Sequence, residues 1–352
     1  MPASIIASMS VRRIGLVHPP PAAFPSGGDL YDRELLRAAR SHGFALHGLP
    51  WRDGALPTGQ WDLLVWDGLL MDRLARVADE RVALLLHYLP TLDPALDARD
   101  RAALQATEDH ALAQADLVIA TGRRVADVVR TRRPDMPVCL CEPGVADAFG
   151  RRRSASDDEA VGVDRPANSP PTLLTVAHLL PAKGHGPLLE LLGQVRDLAW
   201  HWHVVGDVDR LPGLALELRQ RAAALGLASR ITWHGAIGQE SVAALMAGSD
   251  LFVFPSSFEA YGMAIAEAVA AGLPVLANRV GAAAQLVRHG STGYLANAGD
   301  WDGFGRHLRE LLGDAALRAA FREKLHEMPV RGWDEAFADF RAACEMDEHG
   351  EV

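Results

Sequence analysis

The chain has 352 residues, of which 49% are hydrophobic, 23% charged and only 6% aromatic, the make-up of a soluble globular protein. At roughly 100–200 residues per domain, this length suggests two domains, each able to build its own core. No apolar run reaches the ~18–20 residues needed to cross a bilayer, and Met1–Ser10 is too short and too weakly apolar for an export signal, which argues for a cytoplasmic protein.

The formal net charge of −10 argues against nucleic acid as a partner, because that affinity rests mainly on phosphate neutralisation. Cys139 and Cys141 are spaced C-x-C and the third cysteine has no mate, so buried reduced thiols are expected. Of the 35 cationic side chains only two are lysines, Lys183 and Lys324, so a lysine in a glycine-rich turn stands out.

In chain order, apolar runs predict strands at Ile14–His18, Asp62–Asp67, Val82–Tyr88, Leu117–Ala120 and Val138–Cys141. A second set falls at Thr172–Ala177, Trp202–Val205, Ile231–His234, Leu251–Phe254 and Val275–Ala277. The runs are apolar on consecutive residues, as in strands covered on both faces, and the segments between them are long enough for crossover helices. That order implies an α/β fold, with two Rossmann-like, doubly wound parallel sheets. We expect an N-terminal domain over 1–150, a linker over 151–171, where arginines, acids, Ser and Pro leave little to bury, and a C-terminal domain over 172–328. The remainder, 329–352, includes an amphipathic helix over Trp333–Met346 that is expected to return toward the N-terminal domain. Ligands of open α/β sheets bind at the carboxyl ends of their strands, so a central cleft is the expected site.

Chemistry concentrates in LFVFPSSFEAYGMAIAEAVAAGLPVLAN, Leu251–Asn278. A buried strand ends at Pro255, a polar turn carries Glu259, and a helix from about Gly262 to Ala271 stops at Gly272 and Pro274. Its first-turn N–H groups suit phosphate, and a carboxylate such as Glu267 suits the vicinal hydroxyls of a ribose or sugar. On spacing alone, a helix start with an acid nearby for dipole reasons explains the pattern equally well. Upstream, HLLPAKGHGP places Lys183-Gly184 at a strand-to-helix turn, with the helix opening near Pro187. In VVGDVD, Asp207-x-Asp209 imitates a metal-binding pair, but turn chemistry at a strand end is the reading taken, and no metal is expected. His201, His203, His178 and His185 are read as core or surface histidines, since no third ligand is indicated. In the first half, Ser26-Gly27-Gly28-Asp29 precedes a helix over Leu30–Arg40, and His87 ends a buried strand.

Glu259 and Glu267, eight apart with Tyr261-Gly262-Met263 between them, match the E-x7-E signature, and the chain resembles the retaining GT-B glycosyltransferases of family 4. The likeness is strongest over 172–312. The resemblance implies that Glu267 holds the ribose of a nucleotide-diphosphate sugar and that Glu259 lies beside the donor sugar. Tyr261, Gly262 and Met263 would surround sugar and diphosphate through their backbones. It further implies that Lys183 grips the diphosphate, that Gly27 and Gly28 form a loop over the phosphates, and that His87 stands beside the sugar. Glu259, His87 and Lys183 are thus the expected catalytic residues. His178 stands where the family commonly has an arginine, so donor affinity is expected to rise below about pH 6.5, near the ordinary histidine pKa. Gly281 fits the family pattern, whereas Ala282 and Gln285 depart from it.

The implied activity is retaining, metal-independent transfer from a UDP-sugar, with no cofactor, to an acceptor hydroxyl. A small molecule or glycan is favoured over a lipid as acceptor, and peripheral membrane contact stays open. A non-catalytic binding protein, an epimerase and a phosphorylase are alternatives on the same architecture.

Overall fold

The computed structural model describes residues 13–22, 25–52, 59–76, 80–150 and 169–346. The chain forms two compact units, Met1–Glu142 with Trp333–Val352, and Pro143–Gly332.

The first unit runs β1 (Ile14–His18), α1 (Gly27–Ser41), β2 (Leu46–Pro50), β3 (Leu63–Asp67), β4 (Arg81–Leu86), α2 (Ala98–Gln114), β5 (Leu117–Ala120), α3 (Arg123–Arg132) and β6 (Val138–Leu140). Its sheet is parallel, in the order β2-β1-β3-β4-β5-β6. Leu64, Trp66, Val82, Leu84 and Val118 join a core with Ala111, Leu112, Val125 and Val129 of α2 and α3. The intervening Leu63, Val65, Ala83 and Leu85 are equally buried, which is why these strands lack polar alternation. Helix α1 begins at Gly27, three residues before the sequence expectation. Ser26 and Asp29 form a reciprocal capping box that draws both glycines into the first turn.

The second unit contains β7 (Thr172–Val176), α4 (His185–Gln194), β8 (His201–Val205), α5 (Pro212–Ala224), β9 (Ile231–Gly235), α6 (Gln239–Gly248) and β10 (Leu251–Phe254). It continues with α7 (Met263–Ala270), β11 (Val275–Asn278), α8 (Ala283–Leu286), β12 (Gly293–Ala296), α9 (Trp301–Gly313) and α10 (Ala315–His326). Its parallel sheet has the order β12-β11-β10-β7-β8-β9. Along β10, Leu251 and Val253 enter one core with Trp202, Leu188 and Phe304, while Phe252 and Phe254 enter the other with Ile265 and Val269. The period-2 alternation thus feeds two apolar layers.

The last helix, α11 (Trp333–Glu345), belongs to the first unit. Trp333 meets the Tyr31 ring edge-on at 5.4 Å, and Phe337 stacks on His42 at 5.2 Å and packs edge-on against Phe44 at 5.5 Å. The division falls at 142/143 instead of 150, because Phe149 is buried with Leu174 and Phe252 and Val145 bridges Gly332, all within the second unit. Most of the expected linker, 151–168, lies outside the described residues.

Candidate functional site

In the second unit, strand β10 ends at Phe254 and the chain turns through 255–262 before α7 begins. Gly262 caps that helix with φ +99°, a left-handed conformation that glycine takes without strain, and no side chain caps the helix start. Ile265 N turns back to Gly262 O at 2.9 Å, so it is the N–H groups ahead of it that are left for a ligand, with the positive end of the helix dipole behind them.

Two neighbouring loops hold this turn. The carbonyl of Ala182 accepts from Ser257 N at 2.8 Å, from Ser257 Oγ at 3.1 Å and from Ser256 Oγ at 3.2 Å. Gly184 has φ +74°, and a Cβ there would lie 2.4 Å from Pro255 O, so no larger residue could follow Lys183 at this approach. On the other side, buried Asn278 donates Nδ2 to Pro255 O (2.9 Å) and Ser256 O (3.1 Å). Ala282 N donates to Tyr261 O at 2.8 Å, and a Cβ on Gly281 (φ +55°) would meet Tyr261 O at 2.5 Å and Glu259 Cβ at 2.9 Å.

This clamping brings Lys183 and Glu259 together: Lys183 Nζ donates to Glu259 Oε1 at 2.5 Å, with both side chains mostly buried. Glu267, on α7, is 7% exposed, and burial pushes its carboxyl up to about 7. At neutral pH it is therefore poised between its acceptor and donor forms. Tyr261 is buried, and Met263 opens α7.

His178 follows β7, and Asp207 N donates to its Nδ1 at 3.4 Å. An accepting ring nitrogen is unprotonated, so protonation of Nδ1 would forfeit that contact. Gly206 makes the loop approach feasible, since a Cβ there would fall 1.9 Å from Ala177 O. Asp207 accepts from Asp209 N at 2.9 Å and lies 3.6 Å from Arg210, the geometry of a turn. His203 Nδ1 contacts His234 Nε2 at 2.9 Å and His201 Nε2 contacts Thr232 Oγ1 at 2.8 Å, so both pair with β9. His185 is buried against Trp202 with neither ring nitrogen hydrogen-bonded. Burial, aided by the charge of Lys183, pulls its pKa down to about 4.

In the first unit the sequence named Gly27, Gly28 and His87, and the structure joins the last two. A Cβ on Gly28 would lie 3.1 Å from His87 Cδ2, so the ring rests against the helix backbone. The glycines sit in the first turn of α1, not in a separate loop, which corrects that expectation. Two residues the sequence reading missed complete the group. His87 Nε2 is 3.2 Å from Asp32 Oδ1 and 3.8 Å from Asp67 Oδ2, all three being buried and their atoms within 4.8 Å of one another. Just beyond, Thr91 donates its N–H (2.8 Å) and Oγ1 (2.7 Å) to buried Glu108, which also receives Arg132.

Comparison with known proteins adds to this geometry. Residues 157–328 match the family model described as Glycosyl transferases group 1. The group 1 match covers a little under half of the chain and contains Lys183, Glu259, Gly262 and Glu267. A lipopolysaccharide core biosynthesis glycosyltransferase, LpsE, of Rhizobium meliloti is 28% identical over 186 residues, 53% of this chain and 52% of that protein. A D-inositol 3-phosphate glycosyltransferase of Streptomyces avermitilis is 37% identical over 120 residues, 34% of this chain and 26% of that protein. The matched stretches thus span about a quarter to a half of these relatives' own length. Among solved structures, a sucrose-phosphate synthase of Thermosynechococcus elongatus has a TM-score of 0.75 at 19% identity, covering 94% of this chain and 97% of that one. HepE of Anabaena, solved in complex with UDP and glucose, gives 0.74 at 18% identity, covering 94% and 98%. The fold is that of the GT-B glycosyltransferases.

Asp32 and Asp67 could not be picked out from the sequence beforehand. Each reads there as an isolated acid, one on a helix and one at a strand end, and only the β1-β3-β4 pairing brings them to His87.

Proposed function

We propose that the chain is a retaining glycosyltransferase of family 4 that moves a sugar from a nucleotide-diphosphate sugar, UDP-linked, to an acceptor hydroxyl without a metal. The observation that carries this reading is the Lys183–Glu259 pair beside the uncapped start of α7, within the group 1 match.

On this reading the diphosphate lies on the N–H groups after Gly262 and attracts Lys183, which stabilises charge on the departing phosphate as the sugar bond breaks. Lys183 is already committed to Glu259, so donor binding shares or displaces that ion pair, and Glu259 aims the ammonium while it lies beside the sugar. Glu267 accepts from the ribose hydroxyls, and bound hydroxyls favour its ionised form over the neutral one that burial promotes. His178 contributes a ring nitrogen near the diphosphate, and His87 of the first unit is assigned to the sugar. Retention follows if acceptor and leaving phosphate occupy one face of the sugar, with the phosphate oxygen taking the acceptor's proton, so that no side chain need be a strong base. HepE, a protein of the same fold, was solved with UDP and glucose, which supports a UDP-sugar as first choice. A soluble small molecule or glycan is the proposed acceptor and the cytoplasm the proposed location; among the described residues no helix is long and apolar enough to cross a membrane.

The test is a thermal-shift screen across nucleoside diphosphates, followed by incubation with the corresponding sugar donors with and without EDTA. UDP should raise the melting temperature through binding to the folded state. A UDP-sugar should release free UDP whether or not EDTA is present, and NMR of the product should show the donor's anomeric configuration kept. Full activity in both Lys183→Ala and Glu267→Ala would overturn the site.

A further inference from the structure

The carboxyl end of the first unit's sheet holds a buried group of charges that the reading above uses only through His87. Asp32 approaches from α1 and Asp67 from the end of β3, and His87 stands just past β4. Asp67 is fully buried; its Oδ1 accepts from Leu69 N at 2.8 Å, while Oδ2 has no hydrogen-bond partner and faces the His87 ring at 3.8 Å. The ring is fixed on its remaining sides by the edge of Tyr31, 5.1 Å between centroids, and by the backbone of Gly28. Nε2 is turned toward the two acids. Nδ1 has no hydrogen-bond partner among the described residues, and the side chain as a whole keeps 10% of its surface exposed.

Two carboxylates facing one imidazole edge need a proton between them. Leaving both ionised against a neutral ring would bury two like charges with nothing to offset them. A proton on Nε2 satisfies Asp32, and the second negative charge then favours protonation of Nδ1 as well. We propose that Asp32 and Asp67 are positioning residues that hold His87 as an imidazolium with Nε2 turned into the fold, so that Nδ1–H stands as a permanent donor to an oxygen of a ligand bound at the carboxyl end of this unit's sheet. The ligand part of this statement rests on the glycosyltransferase reading, whereas the charge state of the ring does not.

The other titratable groups facing the cluster agree in sign. Asp29, on α1, also raises the histidine's pKa, and the neighbouring Tyr88 hydroxyl is kept neutral by burial and by Asp67. Burial alone would pull His87 down, but Asp32, Asp67 and Asp29 together raise it to about 9. Burial, reinforced by Asp32 and opposed by His87, lifts Asp67 to about 7. Both shifts point the same way: the ring keeps its proton to higher pH than an ordinary histidine, and Asp67 keeps its own to higher pH than an ordinary carboxyl.

The test is a histidine-labelled NMR titration of the full chain, in which the His87 signal among the 14 histidines is assigned by its loss in His87→Gln. The expected result is an imidazolium at pH 7.5 with a midpoint above about 8, falling to about 7 or below in Asp32→Asn. Asp67→Asn should lower it by a smaller step, and Asp32→Glu should restore much of the parent value. A neutral ring at pH 7.5 in the parent chain would overturn the proposal, as would a midpoint unmoved by both substitutions, or a stoichiometric divalent metal copurifying with the chain and lost on chelation together with the imidazolium-like signal. If Asp32→Asn fails to fold, the parent titration and Asp67→Asn still decide. With an active donor, Asp32→Asn should lower kcat more than it raises KM and move the alkaline limb of the pH profile down in step with the NMR midpoint. A high midpoint in a chain that turns over no donor would uphold the imidazolium while rejecting the glycosyltransferase reading.

Discussion

The second unit's site is decided by contacts of single residues. Because Lys183 and Glu259 are paired at 2.5 Å, a diphosphate bound as proposed would compete with a carboxylate for the same ammonium. Glu259→Gln weakens that competitor, so UDP alone should bind a few-fold more tightly while kcat falls on the order of 100-fold, since the proposed reading also sets Glu259 beside the reacting sugar. Lys183→Ala should instead raise the Kd for UDP by roughly 10–100-fold, the worth of a charge-assisted contact. Calorimetry of UDP binding beside steady-state turnover separates the two; a parallel loss in both variants would mean that the pair acts as one unit. Gly281→Ala is a third probe at this scale. Its Cβ would meet Tyr261 O at 2.5 Å in a backbone at φ +55°, so about 1–3 kcal/mol of stability should be lost with donor affinity, read by urea unfolding and UDP titration.

Among the elements, the central strands and the edge strands β6 and β9 were legible, and the other two edge strands were not. β5 and β10 fall on the expected residues because both faces are buried and every position is apolar. β2 and β12 close one edge of each sheet and escaped notice: β2, Leu46–Pro50, carries exposed His47 and Gly48, and β12 is only Gly293–Ala296. The site was legible in a similar way. Lys183, Glu259, Gly262 and Glu267 lie near strand ends or helix starts that the pattern reveals, whereas Asn278 gives no local signal. Its role depends on β11 lying beside β10, which lets one buried amide hold both Pro255 O and Ser256 O. Asn278→Ala would leave those carbonyls buried without donors. It should cost about 1–3 kcal/mol and weaken UDP binding, although Asn278 is not placed against the ligand. Asn278→Asp, equal in size but lacking the donor, should fail to rescue; recovery would show that packing alone matters.

At the scale of the whole molecule, the acid–base groups buried in the second unit pull stability in opposite directions. His185 is held near pKa 4 when folded, against about 6.5 unfolded, so its contribution falls as pH drops from 6.5 to 4, where only the unfolded chain takes up the proton. Glu267 is held near 7, against about 4.5 unfolded; the folded chain keeps its proton longer, and stability falls as pH rises from 4.5 to 7. Between pH 4.5 and 6.5 the two slopes cancel, each being at most about 1.4 kcal/mol per pH unit. His185→Leu should therefore uncover a stability that declines with rising pH across this window, and Glu267→Gln one that climbs. Urea unfolding of parent and variants at half-unit steps reads the difference directly, and subtracting the parent removes contributions from Asp67 and His87, which titrate alike in all three chains. Two variants with parallel profiles would mean that the buried carboxyl and the buried imidazole do not set opposing slopes, and the assignment of Glu267 as a half-protonated acceptor at neutral pH would fall with them.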